Sequence, residues 1–239
     1  MKTVGLARGA HKWLGLWSGV PALLGVVLAW DASGLDLALA RWMAQGHAFA
    51  WRDDWVGAVL LHGGMRQVAF AVAAWLVVGV WFPTGVLRRV SRAGRLQWLA
   101  SILLSVTLVN LLKHSSLTSC PWDLAEFGGT ANYLTHWAWG RGDGGPGHCF
   151  PAGHASAGFS FLGGYFAFKP VASRAAWACL ATALVAGFAL GVSQQLRGAH
   201  FMSHTLWTAW LCWTSAWLAD VAMQVGWTGQ EGVGASRAA

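Results

Sequence analysis

Leu96-Gln-Trp-Leu-Ala-Ser-Ile-Leu-Leu-Ser-Val-Thr-Leu-Val-Asn-Leu-Leu112 carries no charge and then meets Lys113. Such a run is more at home in hydrocarbon than in water, and about 20 apolar residues in a helix cross a bilayer. Reading outward, further apolar runs lie near 13–30, 67–83, 155–169, 175–192 and 205–225. The pattern predicts an all-α integral membrane protein with six transmembrane helices, folded as a single membrane domain over 1–239. Composition agrees, because 56% of the residues are hydrophobic and only 10% charged, whereas soluble domains carry about a quarter charged residues.

Charge placement predicts the orientation. With six spans, segments 1–12, 84–95, 170–174 and the tail share one side, which then holds Lys2, Arg8, Lys12, Arg88, Arg89, Arg92, Arg95, Lys169, Arg174 and Arg237. The opposite loops are sparser in basic residues and hold most of the acidic ones, so both termini are expected in the cytoplasm. Loops 113–154 and 193–204 then share the outer face. The net charge of +7 follows from this asymmetry and not from a basic binding face, so no nucleic-acid partner is expected. The basic, then apolar, N-terminus is like a signal peptide. No small-x-small site stands at Ala29-Trp-Asp31, so it reads as an uncleaved first span. Tryptophans such as Trp13, Trp30, Trp137 and Trp207 cluster near the expected helix ends, where interfacial anchoring explains them. Residues 226–239 read as a flexible tail.

Polar residues concentrate in three places on the outer side: Lys113-His-Ser-Ser-Leu-Thr-Ser-Cys120-Pro121-Trp122-Asp123, Phe150-Pro151-Ala152-Gly153-His154, and Ser193-Gln194-Gln195-Leu196-Arg197-Gly198-Ala199-His200-Phe-Met-Ser-His204. In order and spacing they resemble the three signature motifs of the type 2 phosphatidic acid phosphatase superfamily, membrane relatives of the vanadium haloperoxidases. Those motifs read Lys, six residues, Arg-Pro; Pro-Ser-Gly-His; and Ser-Arg, five residues, His, three residues, Asp. Here Cys120, Ala152, Gln194 and His204 stand where the family has Arg, Ser, Arg and Asp.

The resemblance implies a catalytic core formed mainly by the last four helices, 96–225, with the helices and outer loop of 1–95 shaping lipid access. It implies His200 as nucleophile, forming a phosphohistidine, and His154 as the acid that protonates the leaving oxygen. Lys113, Gly153, Ser193 and Gln194 fall at phosphate-binding positions. Arg197, one turn before His200, is a candidate replacement for a missing cation. His204 is expected to orient His200 as the aspartate would, with the lost negative charge supplied by Asp123, Glu126 or Asp143. The implied activity is metal-independent and cofactor-free hydrolysis of a lipid phosphomonoester or pyrophosphate at the outer leaflet. Undecaprenyl pyrophosphate, phosphatidic acid, phosphatidylglycerol phosphate and lipid A are candidate substrates, and a bacterial inner membrane with a periplasmic site is the expected setting.

Other readings of the same residues stay open. His200 and His204, with His154 or His148, have metal-ligand spacing, although Lys113 and Arg197 would repel a dication. Lys113 and Arg197 alone could be interfacial anchors. Loss of two guanidinium groups and a carboxylate would also fit a non-catalytic lipid-phosphate binder. Cys120 and Cys149 share the outer loop, where an oxidising compartment permits either a bridge or two free thiols. His47, His62, His114, His136 and His148 are expected as loop histidines bonded to their neighbours.

Overall fold

The computed structural model describes residues 19–44, 46–53 and 63–237, with side chains as far as Val225. Lys2, Arg8, Lys12, the start of the first expected span and His62 lie outside these residues. The helices are α1 (Gly19–Ser33), α2 (Leu35–Met43), α3 (Met65–Trp81), α4 (Arg92–Ser115), α5 (Gly153–Phe159), α6 (Gly163–Phe168), α7 (Ser173–Leu196) and α8 (Met202–Arg237). Short 3-10 turns and no strands complete the described residues. The α8 backbone stays helical through 226–237, where a flexible tail was expected.

Three helical segments are long and apolar enough to cross a membrane: Met65–Arg89, Arg92–Ser115 and Ser173–Leu196. The α1–α2 pair passes only when taken together, and it bends by 71°. Among the described residues three such spans, or four with the bent pair, stand where six were expected. Segment 155–169 is not one helix but α5, a 3-10 turn at Ser160–Leu162, and α6. Small residues explain the break, because they let neighbours press in. A Cβ on Gly163 would strike the Ser101 hydroxyl, and one on Gly164 would strike the Trp98 ring. A Cβ on Gly158 would meet the backbone of Gly187, on whose face Phe159 also lies. Helices in lipid gain little from hydrophobic burial, so this close approach of α5 and α6 to α4 and α7 is what packing there depends on. Val109, Phe159, Leu162, Phe166 and Cys212 fill the space between them.

The far end from the motifs is tied by Arg95. Its guanidinium is buried and donates to Val80 O at 3.2 Å, Leu87 O at 3.1 Å and Val90 O at 2.6 Å. Val80 O, in the last turn of α3, thereby gains a donor, and the same guanidinium ties it to Leu87 and Val90 of the connection to α4.

At the other end, Gly34 takes φ +67°, a left-handed conformation suited to glycine, between α1 and α2. The bend flanks itself with Asp31 and Asp36. Asp36 Oδ1 accepts from Ser203 N at 2.9 Å and from Trp30 Nε1 at 2.8 Å. A carboxylate at the first turn of α8 suits the unpaired N–H groups there. The N-terminal helices are thus attached directly to the third motif.

Candidate active site

Lys113 closes α4, His154 opens α5, His200 follows α7 and His204 opens α8. Local backbone chemistry brings these four ends together. At the end of α7, Gly198 N donates to Gln195 O at 2.9 Å and Ala199 N to Gln194 O at 2.8 Å. These are the two bonds of a Schellman turn, and Gly198 at φ +72° takes the left-handed position such a turn requires. The chain reverses there and delivers His200 into the site.

The second and third motifs are clamped together. Ala152 N donates to His204 O at 3.3 Å, and Thr208 Oγ1 donates to Ala152 O at 3.1 Å. The first motif is zipped to the second, because His148 N donates to Ser116 O at 2.8 Å and Cys149 N to Thr118 O at 3.1 Å. A disulfide joins Cys120 to Cys149 with their Cα atoms 5.1 Å apart. Where the family keeps an arginine, Cys120 therefore contributes a covalent tie. Trp122 N donates to Gly198 O at 2.9 Å and fastens the same loop to the end of α7.

Within this frame the His154 and His200 ring centroids are 6.5 Å apart, and His200 Nδ1 is 3.4 Å from His204 Nδ1. One imidazole of that pair donates and the other accepts. With the proton on His200 Nδ1, its Nε2 carries the lone pair. The Lys113 side chain runs along Gly153, so the first-motif cation lies beside the second motif. His200 is buried, and burial is the main cause that holds its pKa well below 6.5. The nearby His204, Lys113 and His154 lower it further, while a bond to the Cys149 backbone opposes the shift. His200 is consequently neutral at neutral pH, as a nucleophile must be.

The remaining expected site residues have definite places. Ser193 is buried and donates its hydroxyl to Leu190 O at 2.8 Å. Gln194 is buried and accepts from Arg197 Nη1 at 3.3 Å. Arg197 Nε donates to Arg52 O at 2.9 Å, and its guanidinium lies 5.9 Å from the centre of the Trp122 ring. These bonds join the turn after α7 to the 46–53 segment.

None of the three carboxylates proposed to replace the missing aspartate is bonded to His204. Asp143 binds Ser119 N, Ser119 Oγ and Gly145 N. Asp123 accepts from Trp122 Nε1 at 3.0 Å, and Glu126 pairs with Arg41 at the surface. The acids behind His204 are instead Asp31 and Asp36. A cavity of about 30 Å³ is lined by both, by His136 and Tyr133, and by His204 itself. His136 Nε2 lies 3.3 Å from Asp31 Oδ2, with both side chains more than nine-tenths buried. Sequence reasoning passed over this pair, whose one signal was an aspartate standing directly after an apolar run.

A second, apolar cavity of about 200 Å³ opens next to the site between Leu112, Trp137, Trp139, Phe150, Trp207 and Leu211. The loop aromatics Trp137 and Trp139 thus form a wall beside the motifs.

Residues 95–227, more than half of the chain, match the PAP2 superfamily. No curated protein matches the chain, and no solved structure does.

Proposed function

Because the chain belongs to the PAP2 superfamily, whose members are generally phosphatases of phosphate esters, we propose that it hydrolyses a membrane-lipid phosphomonoester or pyrophosphate through a phosphohistidine, without metal. The observation that carries this reading is the 3.4 Å contact of His200 Nδ1 with His204 Nδ1 beside His154 and Lys113. His200 Nε2 attacks phosphorus as the bond to the leaving oxygen breaks, and His154 protonates that oxygen. His154 then takes a proton from water, which attacks the phosphohistidine and releases phosphate. Lys113 balances charge on the phosphoryl oxygens. Gly153 leaves room beside that lysine, while Ser193, Gln194 and Arg197 hold the end of α7 in place through their bonds to Leu190 O, to one another and to Arg52 O.

Three helices apolar enough to span a membrane and the apolar cavity beside Phe150 support a lipid substrate whose chain stays in hydrocarbon. The basic residues at the opposite helix ends favour six crossings, cytoplasmic termini and a periplasmic site in a bacterial inner membrane.

Phosphate release by purified protein in detergent tests the reading. Undecaprenyl pyrophosphate and phosphatidic acid are offered with and without EDTA, beside His200→Ala. Release that survives EDTA and vanishes in the variant is expected. Release lost with EDTA points to a metal centre, and none from any lipid phosphate points to a binding protein.

A further inference from the structure

We propose that Asp31, acting through His136 and the small cavity behind His204, is the positioning carboxylate of the phosphoryl-transfer site. The inference rests on the phosphohistidine reading and deepens it by naming the group that offsets the charge created there.

His204 occupies the place of an acid but is itself a base. When His200 Nε2 bonds to phosphorus, its ring gains positive charge, and the Nδ1 proton moves toward His204 Nδ1. The charge shared by the two rings then sits in a buried place, near Lys113 and His154, where an uncompensated cation is costly. When the phosphohistidine is hydrolysed the proton returns to His200 Nδ1, so the relay is restored with each turnover. A compensating anion needs only to be fixed and close.

Asp31 is fixed, and it lines the same small cavity as His204. It is held at the end of α1, where Oδ2 accepts from Trp137 Nε1 at 3.0 Å and Trp207 Nε1 at 2.9 Å. Trp207 is one turn along α8 from His204, so the carboxylate is braced from the same helix. His136 bridges the gap, stacked on Phe150 at 4.2 Å with its ring centre 6.1 Å from that of His204. The cavity lined by His204, His136, Asp31 and Asp36 has a volume of about 30 Å³. A polar space of that size accommodates one water able to reach several partners. Proton position can thus be communicated from His200 through His204 to the acidic end of α1, although Asp31 touches no substrate.

The test is Asp31→Asn, which keeps an oxygen acceptor for the tryptophans and removes the charge. Asp31→Glu and His136→Ala are made beside it. The groups facing the His200–His204 pair are Lys113, His154, His136, Tyr133, Asp31, Asp36 and the Cys149 backbone, and all but the substituted one are retained. Two readouts are taken in detergent: turnover of phosphatidic acid, and the titration midpoint of the pair by NMR of protein labelled at histidine. A nearby anion favours the protonated pair, so removing it moves the midpoint to lower pH. The expected result is a downward midpoint in Asp31→Asn, at least a tenfold fall in kcat with KM changed less than threefold, and partial recovery in Asp31→Glu. An unmoved midpoint overturns the proposal even if activity falls, since packing loss alone would do that. If the wild-type protein releases no phosphate, the proposed function fails, and the midpoint still decides whether Asp31 acts on the pair.

Discussion

At the residue scale the decisive property is the protonation of His200. Its burial, with His204, Lys113 and His154 around it, holds the imidazole well below its ordinary 6.5. The imidazole proposed as nucleophile therefore remains neutral into mildly acidic solution, and kcat/KM should stay level as pH falls through 6.5, then drop only as pH passes the depressed native value. A pH–rate profile with its acid limb at or above 6.5 would contradict this. The same shift has a consequence for stability. The unfolded chain takes up a proton near 6.5 while the native site does not, so between 6.5 and the lower native value the unfolded state binds more protons. Stability is intact above 6.5 and declines as pH falls below it, which thermal melts across that range will register. Arg197 illustrates a different residue-scale outcome. A guanidinium one turn from His200 has the spacing of a phosphate ligand, yet two of its nitrogens hold Arg52 O and Gln194.

At the element scale the turn between α7 and α8 governs whether His200 reaches its partners. Gly198 has φ +72°, and a Cβ there would enter the Phe49 ring. Gly198→Ala should cost about 1–3 kcal/mol in backbone strain and displacement of that ring. We expect a lower melting temperature together with reduced kcat, because the strained turn and His200 are two residues apart. Wild-type melting and turnover in this variant would show that the turn does not position His200. The bend at Gly34 is the matching device on the N-terminal side. It sets the short α2 at an angle to the helix of the first apolar run, and their junction presents Asp31 and Asp36 to α8. Elements outside the family match at residues 95–227 therefore contribute directly to the site.

At the scale of the whole molecule, the 113–154 loop is covalently closed and not a loose connection. The Cys120–Cys149 bridge encloses a segment with sequence separation 29, and closing a loop of that length stabilises by about 3.6 kcal/mol in the chain-entropy account. Reduction, or replacing both cysteines by serine, should lower the melting temperature and slow turnover, since the bridge holds the first motif against the second. Alkylation before and after reduction, read by mass, checks the bonding: thiols at 120 and 149 should label only after reduction. Ready labelling of both in unreduced protein would remove the explanation. Much of this architecture is legible in the linear sequence. Apolar runs such as Leu96–Leu112 fix helices by their length and lack of charge, and the spacing of Lys113, His154 and His200 follows from chemistry confined to neighbouring helix ends. Segment 155–169 is less legible, because its glycines permit both a span and the close packing that breaks it. The acid behind His204 was not legible at all. Asp123, Glu126 and Asp143 were near in sequence, but each is engaged elsewhere, while Asp31 is distant in sequence and near in space. Local pattern determines helices and motif order because those depend on neighbours along the chain. Only the tertiary fold decided which carboxylate stands behind the histidine pair, because that depends on a 71° bend and the packing of α1 against α8.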